Sequence, residues 1–529
     1  MPGKKSVILA VIAVLILNSI ALFTSCARPA LDVVALDSGK VRGTQVEGVW
    51  TYLGIPYAAP PTGGLRWREP QPVKAWDGIR DCNKYGPVCP QPKSFMYDIS
   101  NANEDCLYLN VWSPAKSSDE SLPVMVWVHG GGFRDGAASL AMYEGNNLAK
   151  QGVIIVSFNY RLGPLGFLSH PLLSKESSHG VSGNYGLLDQ VAALKWVKQN
   201  IRSFGGDPGN VTIFGESAGG TAVCDLMVCP LADGLFQRVI SESGSFGDAY
   251  PAARDDTVAK AEITGSAMAA RLGCDKVDDV LAAMRQKPAD DLIKAAYSSD
   301  TAFYSVVFRP VIDGWVIPEN PWSMFTAGKQ KKVPLLIGTN ANEGSIFVMP
   351  DPKVQKMTVE DYQAYINNTF GGNAAEALRL FPASSKEDVV PAMVKLRTVL
   401  GFAAGAMHAA ETTAANGSKV YMYQFTRVPD SPLKMVGAFH GLEIFYLFGH
   451  FKADRVAISA DKTDIALSQN MMKYWTNFAR AGDPNGGDLP AWPVYTTASQ
   501  QYLKLGDQLT VDAGLNKEYA GLITSIAGR

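Results

Sequence analysis

Val211-Thr212-Ile213-Phe214-Gly215-Glu216-Ser217-Ala218-Gly219 is the stretch on which the reading of this chain turns. Its first four residues are apolar or β-branched and short in run, as a buried strand is, and Gly220 to Val228 reads as a helix beginning directly after the turn. A serine between glycines at such a strand-to-helix junction sits in strained backbone, because side chains at the flanking positions would collide with the neighbouring strand and helix. The turn therefore presents the Ser217 hydroxyl outward. It also places it at a helix N-terminus, where free N–H groups and the helix dipole favour developing negative charge. A glycine-rich turn with an incidental serine is the plainer alternative, and the surroundings weigh against it.

Outward from that turn, Val124 to Val128, Val153 to Phe158 and Val333 to Ile337 are further brief runs bounded by Gly, Pro or Asn. Between two of them Leu187, Val191, Leu194, Val197 and Ile201 recur at helical spacing, with Gly205 and Gly206 after them. Strand, helix, strand with right-handed crossovers predicts an α/β protein, a large mostly parallel central sheet with helices on both faces. Its sites lie at the carboxyl ends of the strands.

The 529 residues carry no linker or repeat after Leu31, so residues 26–529 are expected to form one catalytic domain. Hydrophobic residues at 47% supply a large core, and 48 basic against 50 acidic residues leave no field to attract nucleic acid. There is no basic tract, zinc spacing or phosphate loop, and neither metal nor cofactor is expected. Lys4 and Lys5 precede an apolar run from Val7 to Leu17, which reads as a signal peptide over residues 1–25. Small residues before Cys26 resemble a lipobox, so Cys26 is the expected lipidation site. The chain is then exported, as an anchored lipoprotein or in secreted form, and meets a membrane only through that anchor or an uncleaved signal. Oligomeric state is not read from the sequence.

Seven cysteines fit an oxidising compartment, and a lipidated Cys26 leaves six. Cys82 with Cys106 is the expected disulfide, closing a loop that holds Pro87, Pro90 and Pro92. Cys224 and Cys229 lie five apart on one expected helix, beyond each other's reach, so with Cys89 and Cys274 they read as packing residues. Asn210, Asn367 and Asn416 start sequons that matter only in a eukaryotic secretory route.

A serine hydroxyl needs a base, and an elbow of this kind orders the partners as serine, acid, histidine along the chain. Of six histidines only His408, His440 and His450 follow Ser217. His408 lies in an Ala-rich, helical-looking stretch; His440, in the glycine-flanked loop Val436 to Gly441 after the alternating run Val420 to Phe425, is the expected base, with His450 as the alternative. Glu343 follows Val333 to Ile337 and is the expected acid, with Asp313 as a rival whose plainer role is turn formation. Val124 to Val128 ends in His129-Gly130-Gly131-Gly132-Phe133, and the N–H groups of Gly131, Gly132 and Ala218 would form an oxyanion hole. His129 reads as shaping this loop.

Together these residues resemble the type-B carboxylesterases, the family of cholinesterases, mammalian carboxylesterases and para-nitrobenzyl esterases. The resemblance extends through Tyr52-Leu53-Gly54-Ile55-Pro56, Glu104-Asp105-Cys106-Leu107-Tyr108-Leu109, Asn184-Tyr185-Gly186-Leu187 and Ala479-Arg480-Ala481-Gly482-Asp483-Pro484. It implies an α/β-hydrolase fold, Ser217, Glu343 and His440 as a triad, and Gly131, Gly132 and Ala218 as the hole. It further implies Glu216 and Glu443 as carboxylates near the gorge, Ser243 as support for the acid, and Cys106 in the first disulfide loop. Two departures stand out. No tryptophan occurs between Cys82 and Cys106, where cholinesterases stack choline, and no cysteine follows Cys274 to make the family's second short bridge.

The expected reaction is ester hydrolysis through an acyl-enzyme, with activity declining toward acid as a base of ordinary pKa near 6.5 protonates. A lipase or amidase on the same site is one alternative. A non-catalytic binding ectodomain on the same fold is another, weakened here because serine, acid and histidine are all retained.

Overall fold

Strand formation follows the apolar runs closely in the computed structural model, which describes residues 31–94, 97–246, 256–297, 308–453 and 455–527. The expected signal peptide and Cys26 lie outside those residues. Eleven strands form the main sheet: β1 (Thr44–Val46), β2 (Val49–Pro56), β3 (Tyr108–Ser113), β4 (Leu122–Val128), β5 (Ile154–Phe158), β6 (Gly206–Glu216), β7 (Arg238–Glu242), β8 (Leu335–Asn340), β9 (Val420–Phe425), β10 (Gln501–Leu505) and β11 (Leu509–Ala513). Their order is β11-β10-β9-β8-β7-β6-β4-β5-β3-β2-β1. From β10 to β5 every pairing is parallel, while β11 and the β3-β2-β1 edge run antiparallel.

Both faces of the parallel strands are covered, and β4 shows how. Val124, Val126 and Val128 pack into one apolar cluster, whereas Met125 and Trp127 pack into the other. A two-residue period thus buries the strand twice over, at about 1.5–3 kcal/mol for each large side chain. Helix α1 (Tyr185–Asn200) covers the first face, with Leu187, Val191 and Leu194 buried, and α2 (Ala218–Val228) begins at the end of β6. A third, helical cluster gathers around α3 (Lys386–Thr398). Where α3 ends, Val399–Ala403 form a π turn before α4 (Ala404–Ala415) resumes. Helix α5 (Lys462–Ala481) packs Trp475 and Phe478 on the opposite side of the sheet.

One expectation is corrected. The disulfide joins Cys89 to Cys106, with Cα atoms 5.1 Å apart, and Cys82 is a free, buried thiol. Cys82 is held elsewhere: its N–H donates to Arg42 O and its carbonyl accepts from Leu53 N, each at 2.8 Å, which ties it into the N-terminal strands. Burial pushes its thiol up to about 11, so it stays protonated near neutral pH. Closing a loop of separation 17, the Cys89 bridge contributes about 3 kcal/mol by the chain-entropy account. Cys224, Cys229 and Cys274 are free and buried, as packing residues are.

Candidate active site

Ser217 stands at φ 58°, ψ −121°, between the end of β6 and the start of α2. Such a conformation costs a non-glycine residue about 1–3 kcal/mol and persists only where neighbours enforce it. They do so on three sides. The Ser217 N–H donates to Glu242 O at 2.9 Å, and its carbonyl accepts from Thr221 N at 2.9 Å. A Cβ on Gly219 would strike the Val128 carbonyl oxygen, so only glycine lets α2 approach β4 so closely.

The glycine loop after β4 faces this turn. A Cβ added to Gly130 would stand 3.1 Å from Ser217 Cβ, which fixes how near loop and serine are. Gly131 (φ 103°) and Gly132 (φ 63°) adopt positive φ, and a Cβ on Gly131 would strike the Asp135 carbonyl. Among the described residues the N–H groups of Gly131, Gly132 and Ala218 donate to no carbonyl or side chain. His129 shapes the loop as expected: its Nδ1 bonds Gly130 O at 2.8 Å, its ring stacks 4.4 Å from Tyr160, and burial pulls its pKa down to about 4.

Glu343 and His440 meet, although 97 residues separate them. The His440 Nδ1–H donates to Glu343 Oε2 at 2.6 Å, and Glu343 Oε1 accepts from Asn340 N at 2.7 Å. Both residues are buried. His440 Nε2 has no hydrogen-bond partner and lies 3.1 Å from Oε1 of Glu216, the residue before the serine. Its bond to the serine hydroxyl is not formed in this structure. Such bonds are often long before substrate arrives.

The surrounding charge is unusual. Burial alone would pull the His440 pKa down, but the carboxylates of Glu216, Glu343 and Glu443 outweigh it and lift the imidazole to about 9. That departs from the ordinary value near 6.5 expected above. Glu216 is in turn raised to about 8 by burial, against the pull of His440, and Glu443 to about 7, chiefly by burial and then by Glu343. Glu216 Oε1 and His440 Nε2 face each other at 3.1 Å, so the charge of one biases the protonation of the other.

Ser243 touches an acid, but it is Glu443: its hydroxyl donates to Glu443 Oε1 at 3.0 Å. Four participants were not anticipated. Asn340 binds both acids, through its N–H to Glu343 and its Nδ2 to Glu443. The Glu242 carboxylate is fully buried and accepts from Trp475 Nε1 at 3.1 Å, and burial then Glu443 hold it well above the usual carboxylate range. A signal existed: Glu242 ends β7 as Glu216 ends β6, and the two are register partners. Phe402 and Phe347 flank the imidazole at 4.6 and 5.2 Å.

The rivals are engaged elsewhere. Asp313 Oδ1 accepts from the N–H groups of Trp315, Val316 and Ile317 at 2.8–2.9 Å, which is the turn role. His408 bonds Thr326 and Trp322, and His450 bonds Glu144.

A family model described as the carboxylesterase family matches residues 30–522. The chain belongs to the carboxylesterase family. As a carboxylesterase it is a carboxylic ester hydrolase, and its relatives are named accordingly. It is 39% identical over 491 residues to the fumonisin B1 esterase of Sphingopyxis macrogoltabida, covering 90% of this chain and 87% of that protein. It is 37% identical over 495 residues to the para-nitrobenzyl esterase of Bacillus subtilis, covering 91% and 96%. A solved para-nitrobenzyl esterase structure superposes with TM-score 0.81 at 36% identity, over 93% of this carboxylesterase and 100% of that chain. The α/β-hydrolase fold that the resemblance implied is thus the fold observed.

Proposed function

We propose that this carboxylesterase works through Ser217 as nucleophile, His440 as base and Glu343 as the group that holds and stabilises the imidazolium. In this reading His440 Nε2 takes the hydroxyl proton as Ser217 Oγ adds to the ester carbonyl. Gly131, Gly132 and Ala218 direct their N–H groups at the oxyanion, and each donor is worth about a hundredfold in turnover. His440 then returns the proton to the departing alcohol, and water repeats the cycle on the acyl-enzyme.

The observation that carries this is the 2.6 Å bond from His440 Nδ1 to buried Glu343, because it fixes the tautomer and leaves Nε2 unbonded beside the serine turn. The test is labelling by a fluorophosphonate. Wild type should be modified at Ser217, while Ser217→Ala should be unlabelled and lose about 10⁴-fold or more in kcat. A labelled, active Ser217→Ala protein would refute the assignment.

We also propose that residues 1–25 are removed on export and that Cys26 carries the anchor. Support comes from the basic start, the apolar run and Cys26 itself, and from a disulfide that suits an oxidising compartment. Metabolic labelling with a palmitate analogue should be lost in Cys26→Ser.

A further inference from the structure

Three segments distant in sequence, residues 67–71, 173–188 and 313–315, close around an open cavity of about 300 Å³. None of its lining residues is Ser217, Glu343 or His440, or bonds to them. Trp67, Tyr185 and Trp315 give the cavity aromatic walls. Trp67 stands at φ 57°, a conformation that a bulky residue holds only under constraint, and its Nε1–H donates to Pro164 O at 2.8 Å. The His179 ring stacks on Trp315 with centroids 3.7 Å apart, and its Nε2 lies 3.7 Å from Glu69 Oε1. This exposed histidine therefore ties all three segments together at the rim.

Most charges around the cavity are matched within the protein. Glu176 accepts from Arg285 at 2.8 and 2.9 Å and pairs with Arg68 at 2.9 Å. Asp313 is filled by the three N–H groups of its turn and by Asn184 Nδ2 at 2.8 Å. Two of the three rings already carry a cation, because the Arg66 guanidinium lies 5.7 Å from the Trp67 centroid and that of Arg161 5.4 Å from the Tyr185 centroid. Among the described residues no protein group bonds the hydroxyls of Tyr185 and Ser178 or Gln71 Oε1, and the Glu69 carboxylate meets only His179, beyond hydrogen-bond distance. We infer that the cavity binds a neutral sugar ring, whose hydroxyls bond to these four groups while its C–H face lies on the aromatic walls. An anion would meet the Glu69 carboxylate, and a cation would meet guanidiniums on the rings that should attract it. Binding there is independent of Ser217, so it stands or falls apart from the esterase mechanism.

The experiment titrates D-glucose, D-galactose, D-mannose and N-acetyl-D-glucosamine onto the full chain and follows binding by saturation-transfer NMR. Choline and D-glucuronate serve as charged comparisons. At least one of the neutral sugars should bind with a Kd of about 1–10 mM, more tightly than either charged compound. Trp315→Ala should weaken that binding about three- to tenfold, and Glu69→Ala about tenfold. Glu69 lies at the rim, so Glu69→Ala should keep the wild-type Tm and the wild-type kcat/KM on 4-nitrophenyl acetate, and it decides the matter if Trp315→Ala does not fold. Tighter binding of choline or glucuronate would make this an ion site instead. Binding of none of the four sugars, or equal binding to wild type and Glu69→Ala, would overturn the assignment.

Discussion

The two halves of the candidate site are built by different physics. Around Ser217 the constraints are steric and local: β6, the turn and α2 are continuous in sequence, and Gly219 against the Val128 carbonyl leaves the serine little choice of backbone. Around His440 they are electrostatic and remote. Glu216, Glu343 and Glu443 arrive from three separate segments, and Asn340 and Ser243 sort them by hydrogen bonds. The first half should tolerate a change of charge but not of volume, and the second should behave in the opposite way.

The sharpest way to break that contrast is Gly219→Ala. Its added methyl must displace α2 from β4, so stability should fall by about 3–5 kcal/mol, read by chemical denaturation. Wild-type stability there would remove the steric account of the elbow. Glu343→Gln should come next, leaving Tm nearly unchanged while kcat falls about a thousandfold, since an amide can present the wrong dipole to His440 Nδ1. A drop in Tm with intact kcat would reverse the proposed division between the halves.

The smallest effect sharpens the electrostatic side. His440 must be neutral to accept a proton, so kcat/KM declines as pH falls through its pKa, and a value raised to about 9 starts that decline well above the ordinary range. Glu216→Gln removes a carboxylate that favours the imidazolium. The acid limb should therefore shift to lower pH by about one unit or more, with activity surviving further into acid. An unmoved limb would mean that Glu216 does not set the charge on His440.

The same contrast explains what could be read in advance. The elbow, the glycine loop and the strands β4, β5, β6 and β8 were legible because each is written in a short window: an apolar run, a glycine, a serine. Glu343 and His440 could be placed by chain order and by the loops they occupy. Asn340 and Glu242 escaped because an asparagine near a turn and a glutamate ending a strand look ordinary until the fold bonds the first to Glu343 and Glu443 and the sheet register sets the second beside Glu216. The bridge to Cys89 rather than Cys82 failed for a related reason. Which of two nearby cysteines meets Cys106 depends on where Arg42 and Leu53 pin the chain, and no spacing rule contains that.

The turn at Val399–Ala403 holds one residue more than a regular helical ladder requires. Loss of a single codon there would heal the ladder and swing Arg397 about 100° around the axis relative to Phe402. The face that Thr398 fastens to Gly344 would then part from the ring of Phe402 beside His440, with no exchange of one amino acid for another at the reacting centre.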